Sequence, residues 1–367
     1  MDDAHFLAEA LRLAEKGLYT ADPNPRVGCV LVKDNRIVGR GYHLTTGEGH
    51  AEANALVEAG EASRGATAFV TLEPCSFHGR TPSCAQALIK AGIQRVVAAM
   101  ADPHEKNAGK GFQILREAGI EVRTPFLETS ARALNPGHIK RYETGLPFVR
   151  LKLAMSLDGK TALANGQSHW ITGPEARRDV QKLRARSSAI VTGVQTVIDD
   201  NPRMTVRAEE LATQHCDLAA KRRRPVYILD PRLRVPPESE ILKNPDNILV
   251  CLSGVADENS HAARILKVEA DADQRIHLGQ FLQHLSDDDC NEVLFECGPT
   301  LGGNLMEQGL CDELIIYIAP KIMGSSARSL LNVPEIDNMG DLFNMNIIDC
   351  RSVGDDIRIT AAPIQTG

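Results

Sequence analysis

Four side chains between residues 50 and 84 constrain this chain more than any other feature: His50 and Glu52 in His50-Ala51-Glu52, then Cys75 after Pro74, then Cys84. One imidazole and two thiolates are compact, soft donors that suit a tetrahedral zinc keeping its fourth position open to water. Glu52 is the fourth element, because a carboxylate close to the metal but not bound to it can take a proton from the zinc water and pass it on. Gly47 and Gly49 break the chain just before His50, which places the histidine at a helix N-terminus. Cys75 and Cys84 lie where strand gives way to helix, and the positive end of a helix favours thiolate. Side chains at i and i+2 point apart on a regular helix, so His50 and Glu52 converge only if the first turn meets the metal end-on.

Around this set the hydropathy pattern alternates between helix and strand. Phe6, Leu7, Ala10, Leu11 and Ala14 recur at helical spacing over residues 2–17. Residues 27–32 and 37–42 read as a hairpin turning at Lys33-Asp34-Asn35-Arg36. A helix from His50 to Gly60, a buried strand over 66–72 and a helix over 82–91 with Pro82 in its first turn follow. Strands at 95–100 and 120–123 flank a helix over 109–118, completing a layered α/β unit. Beyond Pro147 the pattern repeats, with strands at 148–155, 189–192, 226–230, 247–252, 292–296, 314–319 and 356–361 and a helix over 175–185. Residues 253–290 read as peripheral connecting structure. At 367 residues the chain suits two domains, expected over 1–145 and 146–367 with the boundary near 144–147.

After the strand at 292–296, Cys297 leads into a glycine-bearing turn and a helix, an arrangement that exposes backbone N–H groups to a phosphate. A structural turn is an equal alternative for that segment. No Gly-x-Gly-x-x-Gly follows a strand, so the standard dinucleotide fingerprint is absent.

A formal charge of -7 and 4% aromatic residues count against a nucleic-acid partner. Nine scattered cysteines, an odd number, read as reduced thiols. The start lacks a basic segment followed by an apolar core, and no stretch approaches a membrane span, so a cytoplasmic protein without membrane association is expected. Two bland readings compete with the open zinc site: His78 as a fourth ligand of a closed structural site, and Cys29 as a ligand rather than a core residue in its apolar strand. Lys221, Arg222, Arg223 and Arg224 read as a solvated loop.

His50-Ala51-Glu52 together with Thr71-Leu72-Glu73-Pro74-Cys75-Ser76-Phe77-His78-Gly79-Arg80-Thr81-Pro82-Ser83-Cys84 resembles the deaminase domain of the bifunctional riboflavin-biosynthesis deaminase/reductases. Nucleic-acid and cytidine deaminases carry Pro-Cys-x-x-Cys, whereas eight residues separate Cys75 from Cys84, an expansion characteristic of the riboflavin enzymes. Asp22-Pro23-Asn24-Pro25-Arg26-Val27-Gly28 resembles that family's substrate-facing loop, which implies Asn24 as a pyrimidine contact. Asp102-Pro103-His104-Glu105 departs from the family's usual Asp-Pro-Asn-Pro. In the second half, the segment from Lys152 to Lys160, Ser168-His169-Trp170-Ile171-Thr172-Gly173, Leu183-Arg184-Ala185, Asp199-Asp200-Asn201-Pro202 and Glu296-Cys297-Gly298-Pro299-Thr300-Leu301 resemble the reductase half.

The resemblance implies a cytidine-deaminase-like three-layer α/β domain followed by a dihydrofolate-reductase-like α/β domain. It implies Zn2+ on His50, Cys75 and Cys84 with Glu52 as the proton carrier. It implies NADPH on Ala154, Trp170, Thr196, Asp200 and the run Gly298, Pro299, Thr300, Leu301, Gly302, Gly303, Asn304. Ser168, Arg184, Met204, Arg207 and Glu296 are the implied substrate contacts; the two arginines suit a phosphate through bidentate guanidinium bonds. Lys152, polar within an apolar strand, either reaches the substrate or snorkels from a sheet edge. The implied reactions are hydrolytic deamination of 2,5-diamino-6-(5-phosphoribosylamino)pyrimidin-4-one and reduction of its ribosyl group to ribityl, by a homo-oligomer, dimer or tetramer. Two rivals stay open: a nucleoside or tRNA deaminase with an unrelated second domain, and a binding protein in which zinc only holds the fold.

Overall fold

Short apolar strands buried on both faces set the first unit. The computed structural model describes residues 2–77, 83–168, 170–255 and 263–364, and its contacts divide the chain into Met1–Leu146 and Pro147–Gly367. In the first unit β1 (Gly28–Lys33), β2 (Arg36–Tyr42), β3 (Thr67–Val70), β4 (Arg95–Ala98) and β5 (Glu121–Arg123) form a sheet in the order β2-β1-β3-β4-β5. β1 runs antiparallel to β2 and β3, and β3, β4 and β5 run parallel. The β1–β2 hairpin turns through Asp34 and Asn35 at φ 50° and 60°, a left-handed pair that these two side chains tolerate and that matches strand twist.

Side chains on a strand alternate between its faces, and that alternation builds two apolar layers. Cys29, Leu31, Ala68, Val70, Val96 and Ala98 pack with the helices Ala51–Ala59, Cys84–Ala91 and Lys110–Glu117. Val30, Val32, Phe69 and Val97 face the helix Asp3–Glu15 on the other side. Ala131 and Ile139 join that second layer from the helices Glu128–Leu134 and Pro136–Thr144, which the periodicity did not announce. The result is helix, sheet, helix.

Glycine lets one of those helices lie directly on the hairpin. A Cβ at Gly41 would sit 2.1 Å from the Ala51 carbonyl oxygen, and one at Gly39 would sit 2.3 Å from that of Ala55. Both distances are far inside van der Waals contact, so the start of the helix that follows His50 is set by the absence of two side chains. The helix Cys84–Ala91 starts differently from expectation: Pro82 lies outside the described residues, and Ser83 is the N-cap, its side chain accepting a bond from the Gln86 N–H.

In the second unit the strands are β6 (Phe148–Ser156), β7 (Lys160–Ala162), β8 (Ala189–Gly193), β9 (Val226–Leu229), β10 (Ile248–Leu252), β11 (Arg264–Val268), β12 (Glu292–Glu296), β13 (Glu313–Ala319), β14 (Arg328–Ser329), β15 (Met345–Val353) and β16 (Asp356–Pro363). Nine of them form one sheet in the order β11-β10-β9-β8-β12-β6-β13-β16-β15, and β14 pairs with β7. The pairs from β11 to β13 are parallel, and β16 and β15 close the sheet antiparallel. The C-terminal ends of the parallel strands therefore share one edge, where α/β sheets place their ligands. Across the strands from that edge, fully buried Arg150 on β6 binds Glu292 of β12 and, at 2.8 Å, Glu313 of β13.

Two expectations are corrected here. Residues 253–290 are not merely peripheral: β11 extends the sheet, and the helix Leu278–Asp287 buries Leu278, Phe281, Leu282 and Leu285. Residues 256–262 of that stretch lie outside the described residues. The basic run at 221–224 is solvated at Lys221 and Arg223 but not at Arg222 and Arg224. Arg224 is 9% exposed, and its guanidinium donates to the carbonyls of Ser187 and Ala185, as that of Arg222 also does. These carbonyls close the helix Pro174–Arg186, whose negative end favours cations. A charge run alone cannot distinguish a solvated face from a helix-end partner that arrives from a distant segment.

Replacing Gly41 by Ala forces the helix that follows His50 away from the hairpin. It is expected to cost about 1–3 kcal/mol, measured as a lower urea midpoint at unchanged m-value, and to weaken zinc retention in parallel.

Candidate active sites

His50 is the N-cap of the helix Ala51–Ala59, extended at φ -69° and ψ 164°, and no cap bond engages its side chain. Its Nδ1 lies 3.3 Å from Cys84 Sγ and 3.7 Å from Cys75 Sγ. The ligand atoms of these three residues all fall within 4.8 Å of one another, the metal-capable group found among the described residues. Tetrahedral zinc with ordinary Zn–N and Zn–S bonds places such donors about 3.6 Å apart, so the donor set and its spacing both fit zinc. The Cys84 backbone N–H, at the start of its helix, donates to Cys75 Sγ at 3.2 Å. A hydrogen bond from the Cys84 thiol, with further help from His50 and that N–H, pulls Cys75 down to about 4. The same bond and burial push Cys84 up. The pair is arranged to hold one thiolate before any ion neutralises the second.

Glu52 is 3% exposed and within hydrogen-bond reach of the Cys84 thiol. Burial, and next the charge of Cys75, push its carboxyl up to about 7. The end-on approach of the first helical turn is therefore present: His50 and Glu52, two apart in sequence, both reach the thiols. His78, the alternative fourth ligand, lies outside the described residues. Cys29 is fully buried in β1 within the apolar core, as its alternation implied. Asn24 Nδ2 stands 3.1 Å from Nε2 of His43, whose Nδ1 faces the Gly49 carbonyl at 3.2 Å. With Nδ1–H donated to that carbonyl, Nε2 accepts from Asn24, and burial lowers the His43 pKa, which keeps the ring neutral. The His43 ring meets that of His50 edge-on at 5.5 Å between centroids, so Asn24 is tied to the metal ligands through one histidine.

Glu73 was not singled out from sequence, yet it organises the Cys75 segment. Its carboxylate is 4% exposed. It accepts from the backbone N–H groups of Asp102 at 3.1 Å, Gly109 at 2.9 Å, Gly111 at 2.8 Å and Phe112 at 3.4 Å, at the start of the helix Lys110–Glu117. A Cβ at Gly111 would fall 2.0 Å from the Pro74 carbonyl oxygen. Asn107 completes the connection by accepting from the Ser76 N–H at 2.8 Å. The departure at Asp102-Pro103-His104-Glu105 sits in the same loop, with His104 stacked on Tyr142 and Asp102 facing His138 Nε2 at 3.2 Å. The signal that could have exposed Glu73 is a carboxylate beside a ligand with glycines at a later helix start.

In the second unit a cavity of about 1020 Å³ opens at the C-terminal edge of the parallel strands. Of the sequence-derived cofactor residues, Ala154, Trp170, Thr196, Asp200, Gly298, Pro299, Thr300, Leu301 and Asn304 line it, whereas Gly302 and Gly303 do not. Those two glycines pack backward: a Cβ at Gly303 would meet the Asn332 carbonyl oxygen at 1.9 Å. Lys152, Ser168, Arg184, Met204, Arg207 and Glu296 also line the cavity. Lys152 stands on β6, paired on both sides by β12 and β13, which removes the sheet-edge reading. Burial lowers its pKa against the pull of Glu296. Arg184 binds Glu296 with two bonds of 2.6 and 2.9 Å. Burial is the largest single effect on Glu296 and opposes its charge, but Arg184 and Lys152 outweigh it and hold the carboxyl below its ordinary range. Arg207 is paired with Glu210 at 2.5 and 2.9 Å on the rim.

Three soft donors with a buried carboxylate in one unit, and a dinucleotide-sized cleft at a sheet's C-terminal edge in the other, define a zinc hydrolase joined to a nucleotide-dependent reductase. Comparison with known proteins agrees. A family model described as the cytidine and deoxycytidylate deaminase zinc-binding region matches residues 1–100, and one described as the RibD C-terminal domain matches residues 147–359. The riboflavin biosynthesis protein RibD of Escherichia coli (strain K12) is 45% identical over 97% of this chain and 98% of its own. That of Haemophilus influenzae is 44% identical over 98% and 97%. Among solved structures, Acinetobacter baumannii RibD superimposes with a TM-score of 0.90 at 41% identity, covering 99% of both chains. The diaminohydroxyphosphoribosylaminopyrimidine deaminase/5-amino-6-(5-phosphoribosylamino)uracil reductase of Thermotoga maritima gives 0.84 at 29%, again over 99% of both.

The chain belongs to the RibD family of bifunctional riboflavin-biosynthesis enzymes. It has a cytidine-deaminase-like zinc domain followed by a dihydrofolate-reductase-like domain, with zinc and NADPH as cofactors. Among the described residues no helix is long and apolar enough to cross a membrane.

Glu73→Gln places an N–H2 group against backbone N–H donors. It is expected to weaken zinc affinity about 10- to 100-fold, the usual cost of losing an outer partner of a metal ligand. Competition against a chromogenic chelator, with circular dichroism unchanged, measures this; wild-type affinity would leave Glu73 no positioning role.

Proposed function

We propose that residues 1–145 remove the amino group at the reacting carbon of 2,5-diamino-6-(5-phosphoribosylamino)pyrimidin-4-one, and that residues 146–367 reduce the product's ribosyl group to ribityl. The observation that carries the first step is the convergence of His50, Cys75 and Cys84 with buried Glu52 beside them. His50, Cys75 and Cys84 hold zinc, which when bound supplies Lewis acidity that makes a water a better nucleophile. Glu52 takes a proton from the attacking water and returns it to the departing nitrogen, so a C–O bond forms, the C–N bond breaks and ammonia leaves. Asn24, held by His43, orients the pyrimidine ring.

For the second step NADPH supplies the hydride, and the chain supplies position. Gly298, Pro299, Thr300, Leu301 and Asn304, at the start of the helix Pro299–Glu307, cradle its phosphates. Ala154, Trp170, Thr196 and Asp200 place the rest of it. Gly302 and Gly303 serve the cradle indirectly, by letting that helix close on the segment carrying Asn332. Lys152, Ser168, Met204 and Glu296 surround the substrate's ribose carbon, with Arg184 fixing Glu296. Arg207, exposed on the rim and held only by an i,i+3 pair, exchanges Glu210 for the substrate phosphate. Nine free cysteines support work in the reducing cytoplasm. Ile347 and Ile348, exposed on edge strand β15, support a homo-oligomer.

Glu52→Gln is expected to lower ammonia release about 10²- to 10⁴-fold while zinc content and the melting temperature hold. Reduction of an already deaminated pyrimidine, followed by NADPH absorbance, should proceed at the wild-type rate. Ammonia release at the wild-type rate would remove Glu52 from the chemistry and favour a zinc that only holds the fold.

A further inference from the structure

We infer that Arg275 recognises the 2′-phosphate of the cofactor and so sets the choice of NADPH over NADH; this rests on the reading that the large cavity holds the nicotinamide nucleotide. The ends of the parallel strands fix a direction along the cavity. Lys152 and Ala154 belong to β6, Gly298 follows β12, Thr196 follows β8, and Leu229 and Pro231 stand at the end of β9. With the nicotinamide near Ala154 and the diphosphate on the Gly298 turn, the adenosine half continues past β8 towards β9. The three strand steps from β6 to β9 amount to about 14 Å, the span of an extended dinucleotide. At that far end the lining becomes apolar, with Leu229, Pro231, Ile276 and Leu278, and among the described residues the cation beside them is Arg275.

The cavity's other cations are engaged or belong to the opposite end. Arg184 holds buried Glu296, Arg207 on the rim is assigned to the substrate phosphate, and Arg203 holds Glu240 at 3.0 Å, closer than the 3.7 Å between Arg275 and Asp273. Arg177 lies over the Trp170 ring and donates to the Thr172 carbonyl. Lys152, on β6, sits at the nicotinamide end beside Glu296, and Arg328, on β14, pairs opposite Ala162 and lies against Gly166. Among the described residues Arg275 pairs with Asp273 at 3.7 Å, with 49% and 69% of the two side chains exposed. Such a solvent-screened pair is weak and yields to a dianionic phosphate.

The backbone beneath Arg275 is fixed. Its N–H donates to Asp271 Oδ1 at 2.8 Å and its carbonyl accepts from the Asp271 N–H at 2.8 Å, while neighbouring Ile276 is 3% exposed. A guanidinium on a fixed backbone, beside apolar walls that suit a purine face, is the arrangement that distinguishes a 2′-phosphate from a 2′-hydroxyl. The basic run at 221–224 does not do this: it lines a smaller neighbouring cavity of about 190 Å³, and Arg222 and Arg224 there hold helix carbonyls.

The test is calorimetric titration of full-length protein with NADPH and with NADH, neither with substrate. Arg275→Gln should weaken NADPH about 10- to 100-fold, the worth of a charged hydrogen-bonded contact, and leave NADH and the deaminase rate unchanged. Arg275→Lys should restore part of the loss. Equal loss for both nucleotides, or no loss for either, overturns the assignment. Gly298→Val, which crowds the phosphate cradle, separates this from failure of the cavity reading: loss of both nucleotides supports that reading, and undiminished binding of both sinks it whatever Arg275 does.

Discussion

The meeting of one imidazole and two thiols at a single point is the constraint on which the first unit depends. His50 must meet Cys75 and Cys84, twenty-five and thirty-four residues further on, within 4.8 Å. Two helix starts have to arrive at one strand end to achieve it, one carrying His50 and the other Cys84. Side-chain bulk opposes that approach, and the chain answers with glycine where helix and hairpin touch. At Gly41 even a methyl group would overlap the Ala51 carbonyl. The Cys75 segment is held from the other side by Glu73, which gathers four backbone N–H groups. Removing water from these groups is unfavourable unless each finds a partner, and that requirement makes the ligand loop and the residues from 102 to 112 one structural piece.

The second unit solves a different problem with the same elements. A dinucleotide needs a long concave surface with donors for phosphate at one place and apolar walls elsewhere. Parallel strands deliver this because every strand ends on the same side, so the loops after β6, β12, β8 and β9 converge without a special fingerprint. Arg150, buried with two carboxylates towards the other ends of β6, β12 and β13, ties these strands in register. Breaking one partner of such a cluster leaves an uncompensated buried charge, so register and site geometry rise and fall together.

Legibility differed with how local the cause was. The first hairpin, the helix after His50 and the central strands could be read because periodicity and turn residues are neighbours in sequence. Ser83 as a cap, with Pro82 beyond the described residues, shows the margin by which helix starts shift. The helices Glu128–Leu134 and Pro136–Thr144 went unannounced because each buries few residues, Ala131 in one and Gly137, His138 and Ile139 in the other. The stretch at 253–290 looked polar because Glu269, Asp271 and Asp273 before the helix Leu278–Asp287 and Asp287, Asp288 and Asp289 at its end flank its short apolar face. Arg222 and Arg224 were misread because their partners, the carbonyls of Ala185 and Ser187, lie more than thirty residues earlier.

The sequence alone determined the chemistry: which donors could hold zinc, which carboxylate stood beside them, and that strand leads to glycine turn and helix after Glu296. Side-chain identity and short-range spacing carry that information directly. Tertiary structure decided how firmly each charge is engaged, binding Arg184 to Glu296, hiding Glu73 among backbone amides and pairing Arg275 with Asp273 across solvent. Those outcomes depend on distances between segments far apart in the chain, where burial strengthens an ion pair and solvent weakens one, and no local pattern records them.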